Sequence, residues 1–86
     1  MLVQEVNMEG LHRVLVYKDL PYSSEGFLVI KSIKNGICTG GLRISDNVTL
    51  SEVVNLAISM NLKFSSYNFD IGGAKAGLKL SRELNK

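Results

Sequence analysis

Two lysines and two pairs of glycines are the residues whose types and spacing could support chemistry in this chain of 86 residues. Lys75 lies within the run Gly72-Gly73-Ala74-Lys75-Ala76-Gly77, and Lys63 lies 12 positions earlier. Glycines let backbone N–H groups approach a ligand closely, and a neighbouring lysine adds a positive charge. The run therefore predicts a small-anion site around Lys75, with a glycine turn that carries a solvated lysine as the alternative interpretation.

The glycine-lysine run does not have the spacing of a nucleotide phosphate loop. A Walker loop places four residues between its first glycine and Gly-Lys and then requires Ser or Thr, whereas Ala76 follows Lys75 here. The dinucleotide fingerprint G-x-G-x-x-G does not occur in the sequence either. We therefore expect no nucleotide cofactor in this chain.

Three strands are expected before the first helix. Residues 13–18 and 27–33 are rich in β-branched and aromatic side chains, which is typical of strands. Asn35-Gly36 is a typical hairpin turn because both residues tolerate positive φ, and it predicts a third strand over 37–44. Gly40-Gly41 interrupts that strand, which indicates a bulge or a close approach by another backbone or a ligand.

A capped helix follows these strands. Thr49-Leu50-Ser51-Glu52 is a capping box, and apolar residues at helical spacing continue to Met60, so the sequence predicts a helix over about 50–63. The further predictions are an extended segment at 64–71, the glycine turn at 72–77 and a short helix from Ser81. The order of elements predicts an α/β fold of the α+β type, with a mixed sheet, an early β-hairpin and one main capped helix.

Five short motifs in a fixed order add a resemblance to these predictions. They are Gly40-Gly41-Leu42-Arg43, Val48-Thr49-Leu50, Leu56-Ala57, Met60-Asn61-Leu62-Lys63 and Gly72-Gly73-Ala74-Lys75. Together they resemble the N-terminal, substrate-binding and dimerisation domain of the glutamate/leucine/phenylalanine/valine dehydrogenase family. The resemblance covers roughly Arg13 to Leu84 and is strongest from Gly40 to Gly77.

The resemblance implies a role for each of these positions. Lys75 matches the catalytic lysine, and Lys63 matches the lysine that holds the α-carboxylate of the substrate. A lysine acts as a base only while it is neutral, and burial and a neighbouring cation both favour the neutral form. The other substrate-binding positions that the resemblance implies are Thr39, Gly40, Gly41, Met60, Gly72 and Gly73.

The chain departs from the family pattern at three places. Thr39 stands where glutamate-specific members carry a lysine for the side-chain carboxylate of the substrate, which favours a substrate with a neutral or smaller side chain. Asn61 replaces the usual threonine, and Ser65-Ser66 replaces small apolar residues. The catalytic aspartate of the family has no counterpart before Lys86, because Asp70 does not occupy its place in the motif.

Composition excludes several classes of function. A net charge of +2 is too weak to predict a nucleic-acid partner. No apolar run reaches 18 residues and no signal pattern opens the chain, so we expect no membrane association. His12 is the one histidine, so we expect no metal site, and it is expected to begin a strand. Cys38 is the one cysteine, which fits a cytoplasmic location and a buried apolar role.

Residues 1–86 are therefore expected to form a single, partial dehydrogenase-like domain without a nucleotide-binding domain. The resemblance implies that NAD or NADP enters only through a missing or partner domain. Three functions remain open at this point. In the first, the chain is a piece of a split dehydrogenase that is inactive alone and works with a separate nucleotide-binding subunit. In the second, it binds an amino or keto acid without catalysing a reaction. In the third, it is a non-catalytic oligomerisation module. In each case we expect a homo-oligomer, because a small core and exposed strand edges make a monomer marginal.

Overall fold

A computed structural model describes residues 2–19 and 24–79 as a five-stranded sheet with one helix packed on it. In chain order the elements are β1 (Leu2–Glu5), β2 (Arg13–Asp19), β3 (Ser24–Ile30), β4 (Cys38–Ser45), α1 (Leu50–Ser66) and β5 (Gly72–Lys79). The sheet has the order β1-β2-β3-β5-β4, in which β4 and β5 are parallel and the other neighbours are antiparallel. The predicted mixed sheet with an early hairpin and one main helix is confirmed.

The hairpin of β2 and β3 supplies the half of the sheet that is richest in β-branched side chains. Val14 pairs with Val29, and both are almost fully buried because they point towards α1. β3 ends at Ile30, so the prediction of a strand over 27–33 was wrong at its end. Lys31 leaves the strand and donates its backbone N–H to the carbonyl oxygen of Gly73. His12 directly precedes β2, as expected.

The Asn35-Gly36 turn exists, but it does not join two paired strands. Both residues have positive φ, 53° and 74°, and the turn closes a single bridge between Lys34 and Ile37. The prediction of a β3–β4 hairpin was wrong, because β5 lies between these two strands. The chain reaches the edge strand β4 first and returns through α1 to fill the gap.

Helix α1 begins as predicted and ends later than predicted. The Thr49 side chain accepts a hydrogen bond from the Glu52 N–H at 3.2 Å, which confirms the N-cap. The Glu52 carboxylate binds Arg43 instead of completing the capping box. The helix continues to Ser66, so the extended segment predicted at 64–71 was wrong for its first three residues. The chain then turns through Asn68, whose φ is 59°.

The glycine turn predicted at 72–77 was wrong, because these residues form most of β5. This strand lies between β3 and β4 and its first three residues are buried. A central strand made of glycine, alanine and lysine has little β propensity of its own. Its small residues are explained by α1, which lies directly on them, as shown for the site below.

The core lies between α1 and the sheet. Helix α1 covers β5 and β3 and leaves β4 largely uncovered. We call the other side of the sheet, which no described element covers, the open face. The buried apolar cluster on the helix side consists of Val14, Phe27, Val29, Val48, Val53, Val54 and Ala57.

One prediction, the short helix from Ser81, falls outside the residues that the structure describes. Within residues 2–19 and 24–79, no helix is long and apolar enough to cross a membrane.

Candidate functional site

The register of the sheet determines which way Lys75 points. On β5 it pairs with Val29 of β3 and with Gly41 of β4. Paired residues of neighbouring strands direct their side chains to the same face. Because Val29 is buried beneath α1, Lys75 and Gly41 also face the helix side of the sheet.

Two glycines on either side of Lys75 bring the helix close to β5. A Cβ at Gly73 would lie 2.5 Å from the Cα of Asn61, and one at Gly77 would lie 2.5 Å from Cγ2 of Val53. No real side chain fits in these gaps, so α1 rests directly on the strand at both points. Lys75 lies between the two glycines and has no room to extend upwards into the helix.

The lysine side chain therefore runs sideways over β4, where Gly41 leaves space for it. A Cβ at Gly41 would lie 2.9 Å from Nζ of Lys75, and this ammonium is the nearest atom that the Cβ would meet. Lys75 is half-buried and Gly41 is exposed. The ammonium group consequently lies beside the helix, above the edge strand, and can be reached from solvent.

The flank of α1 that faces β4 is identified by an ion pair. Nε of Arg43, on β4, lies 3.1 Å from Oε1 of Glu52, in the first turn of the helix. A helix turns by about 100° per residue, so Lys63, 11 residues after Glu52, returns to within about 20° of the same flank and is exposed. Met60, 8 residues after Glu52, lies about 80° away, on the same side as Val53, and is half-buried.

Lys63 and Lys75 lie close to each other in position along the direction of β4. Val53 contacts Gly77 and Asn61 contacts Gly73, so α1 runs antiparallel to β5 and also to the edge strand β4, which is parallel to β5. Lys63 lies about 16 Å beyond Glu52 along the helix axis, which corresponds to roughly five residues back from Arg43 on the strand. This places Lys63 near the level of Thr39, about 7 Å along the strand from the level of Gly41 and Lys75.

These residues form a groove between the helix flank and the edge strand, which we call the α1–β4 groove. Its floor is Thr39 and Gly41, its wall is Met60 and Lys63, and Lys75 enters from below the helix. Lys75 brings its ammonium group to this surface, Lys63 lies on the helix flank beside it, and Arg43 at its far end is already paired with Glu52. The arrangement suits a small molecule with one carboxylate. One lysine can bind the carboxylate while the other faces the carbon atom next to it.

The other three glycines assigned to the site from the sequence have structural positions. Gly40 is exposed on β4, and a Cβ there would overlap the backbone carbonyl of Ala74. A Cβ at Gly72 would overlap the backbone of Ser32. Gly73 lies under the helix. The close backbone approach expected at Gly40 is confirmed, whereas these glycines shape the groove from beneath and do not line it.

Asn61 is the residue of this region whose contribution the sequence did not predict. Its Oδ1 accepts hydrogen bonds from Oγ of Ser32 at 2.5 Å and from the N–H of Gly73 at 3.0 Å. The sequence showed it only as a departure from a threonine. The signal that could have found it is its place in the motif, two residues before Lys63.

Two hollows lie along the open face of the sheet. One of about 470 Å³ and one of about 320 Å³ share Leu28 and Ala76 as lining residues, and the smaller one is also bordered by Thr39, Gly41 and Lys75. Cys38 lines the smaller hollow and is half-buried, so the expectation of a buried cysteine was wrong, because β4 is an edge strand. Within the described part of the chain, no group of three His, Cys, Asp or Glu side chains could hold a metal ion.

Comparison with known proteins identifies the family and the fold. Residues 17–86 match the sequence model of the family described as Glu/Leu/Phe/Val dehydrogenase, dimerisation domain. The chain is 39% identical over 62 residues to the NADP-specific glutamate dehydrogenase of Synechocystis sp., an alignment that covers 71% of this chain. Its fold is similar to that of the hetero-hexameric glutamate dehydrogenase from Thermus thermophilus in its Leu-bound form. That similarity has a TM-score of 0.70 and 27% identity, and covers 85% of this chain.

Both relatives are much longer than the region they share with this chain. The matched part spans 14% of the Synechocystis protein and 19% of the Thermus chain. Within that part, the family match includes every residue of the α1–β4 groove. The chain therefore belongs to the Glu/Leu/Phe/Val dehydrogenase family, and the region it contains is the one described as the dimerisation domain.

Proposed function

We propose that the α1–β4 groove is the amino-acid or 2-oxo-acid half of a dehydrogenase site. In this proposal Lys63 binds the α-carboxylate and Lys75 is the base at the neighbouring carbon. The observation that carries the proposal is the position of the Lys75 ammonium, which lies over Gly41 and beside the helix flank of Lys63. A fixed cation next to a second lysine is what an amino acid with one carboxylate requires.

The floor of the groove bears on the choice of substrate. Thr39 is exposed and uncharged, and it lies at the level that we assign to Lys63. A threonine offers a hydroxyl and a methyl group but no cation for a second carboxylate. We therefore propose a substrate with a neutral side chain, such as L-leucine or its 2-oxo acid, in preference to glutamate.

Charge removal at Lys63 tests the proposed carboxylate site. The 86-residue chain is titrated with 4-methyl-2-oxopentanoate and followed by NMR. Lys63→Met should abolish binding while the chain stays folded, because Lys63 is exposed and its removal leaves no buried charge. Lys18→Met is the matched control, since this exposed lysine lies on β2, with β3 and β5 between it and β4. Binding that survives unchanged in Lys63→Met would show that the assignment is wrong.

The proposal also includes a nucleotide-binding domain outside residues 1–86. Hydride transfer needs a nicotinamide ring held against the substrate carbon, and no glycine-rich fingerprint occurs in this sequence. We expect the chain alone neither to bind NAD or NADP nor to oxidise amino acids. The assay is a titration with each cofactor, followed by turnover with a panel of amino acids. Activity that requires a second, nucleotide-binding chain and is lost in Lys75→Ala would support a split enzyme.

A second function, self-assembly, is supported by the open face. Large apolar side chains on this side include Leu42 and Ile44, which are 59% and 56% exposed. They lie on the edge strand β4, whose outer edge has no neighbour among the described strands. Unpaired edges and apolar faces favour association between copies. Sedimentation that shows only monomer at high micromolar concentration would rule out this function for the isolated chain.

A further inference from the structure

The last turns of α1 are attached to the sheet through one side-chain oxygen. Oδ1 of Asn61 accepts a hydrogen bond from the hydroxyl of Ser32, just after β3, and one from the backbone N–H of Gly73, at the start of β5. Asn61 is half-buried and Gly73 is buried. A single acceptor thus connects the helix with the two strands on which it rests.

The attachment point is close to the residue that the proposed function needs. Asn61 lies two residues before Lys63 and one after Met60, so it shares a helical turn with both. Because the Cα of Asn61 contacts Gly73 directly, no side chain separates the helix from the strand at this point. Any change in the Asn61 attachment would therefore move the turn that carries Lys63.

Other contacts near the helix end do not replace this attachment. Nζ of Lys34 donates to Oγ of Ser65 at 3.2 Å, but both side chains lie on the surface. The Phe64 and Phe69 rings pack at 6.3 Å between centroids, which links the helix to its own following turn and not to the sheet. Exposed hydrogen bonds compete with water, whereas an N–H buried beneath a helix depends on its protein acceptor.

We propose that Asn61 is a positioning residue for the α1–β4 groove, a role that rests on the proposed function. By fixing the helix to Ser32 and Gly73, it sets the height of Lys63 above Thr39 and its distance from Lys75. It does not itself touch the substrate.

The test combines a ligand-free measurement with a binding measurement on the full chain. Amide hydrogen exchange of Gly73 reports the hydrogen bond itself, and titration with 4-methyl-2-oxopentanoate reports the groove. Asn61→Ala should raise the Gly73 exchange rate and weaken binding of the oxo acid, each by about tenfold, because small displacements of a binding group are costly. Asn61→Asp keeps the acceptor oxygen and should restore Gly73 protection. Asn61→Asp is used only in the exchange measurement, because its added negative charge would itself weaken binding of the anionic oxo acid.

A matched control separates positioning from general loss of helix stability. Thr49→Ala removes the cap at the opposite end of the same helix and should leave oxo-acid affinity within about twofold of the parent chain, while Gly73 exchange should rise by no more than the roughly fivefold that its loss of global stability implies. If Asn61→Ala does not fold, Ser32→Ala removes one of the two bonds and should give a smaller change in the same direction.

The outcomes distinguish this inference from the proposed function. Unchanged Gly73 exchange in Asn61→Ala, or an equal loss of affinity in Thr49→Ala, would overturn the positioning role. If Lys63→Met abolishes binding while Asn61→Ala binds normally, the inference fails and the proposed function stands. If Lys63→Met binds normally, the proposed function fails, and the positioning role fails with it.

Discussion

The substitution Gly41→Ala tests the site directly, because the added methyl group would contact the Lys75 side chain and no other residue within 4 Å. In Gly41→Ala the new Cβ would lie 2.9 Å from Nζ and 3.9 Å from Cε of Lys75. Ordinary contact begins near 3.4 Å, so the ammonium must move by at least a few tenths of an ångström. A lysine can make this movement by rotating its terminal bonds, at little cost to the fold.

The expected effect on stability is therefore small and its sign is favourable. Glycine within a strand costs roughly 0.5–1 kcal/mol relative to alanine, because its backbone loses more freedom on folding. Gly41→Ala recovers part of this and adds a contact with a flexible side chain, so the free energy of unfolding should stay within about 1 kcal/mol of the parent value. Oxo-acid affinity, in contrast, should fall about tenfold or more, because the displaced ammonium faces the ligand.

The neighbouring glycine provides the control. In Gly40→Ala the new Cβ lies 2.5 Å from the carbonyl carbon of Ala74, which belongs to the backbone of a central strand and cannot rotate away. We expect a loss of about 3 kcal/mol in the free energy of unfolding. Urea denaturation and NMR titration of both variants measure the two quantities. A Gly41→Ala chain that binds normally, or one that is as unstable as Gly40→Ala, would refute this account of the site.

The remaining predictions concern the elements that hold the groove together. Gly73→Ala should lower the free energy of unfolding by about 3 kcal/mol in urea, since its Cβ meets the helix backbone. Thr49→Ala should lower it by about 1 kcal/mol through loss of the N-cap, which the same measurement detects. Arg43→Ala should cost less than about 1 kcal/mol, and the difference should shrink in high salt, because the pair with Glu52 is exposed. Replacing Leu42 with lysine should shift any dimer to monomer in sedimentation velocity.

Elements with local signals were predictable from the sequence. Helix α1 could be predicted because a side-chain cap at Thr49 and a helical apolar period are properties of adjacent residues. β2 could be predicted for the same reason, from its alternating β-branched side chains. β1 was missed because all four of its residues are exposed and carry no apolar alternation.

The central strand could not be predicted from local signals, because its composition reflects what lies above it. Gly73 and Gly77 are small because α1 touches them, and α1 lies earlier in the chain. A run of glycine and alanine read alone indicates a turn. The order of the strands depends likewise on a long-range event, the insertion of β5 between β3 and β4. Lys63 and Lys75 were singled out through the family motif, and their roles stay predictions. The hydrogen bonds of Asn61 could not be predicted, because they depend on residues 12 and 29 positions away.

The contact between α1 and β5 explains why the two lysines can be held in register by so small a domain. The helix touches the strand at two points, Val53 on Gly77 and Asn61 on Gly73. Eight helical residues rise about 12 Å and four strand residues span about 13 Å, so the distance between the two contact points is nearly the same on the helix and on the strand. The helix and strand therefore behave as one rigid unit that carries Lys63 on one part and Lys75 on the other.

This unit builds only one side of a site. The α1–β4 groove has a wall on the helix side and a floor on β4, but β4 is the edge of the sheet and no described element rises beyond it. Water therefore reaches the Lys75 ammonium, and electrostatic interactions with a substrate are weakened by the high dielectric of the solvent. Exclusion of that water requires a second body against the edge strand. The geometry of the groove thus agrees with the proposal that a nucleotide-binding domain, on this or another chain, closes over Lys63 and Lys75.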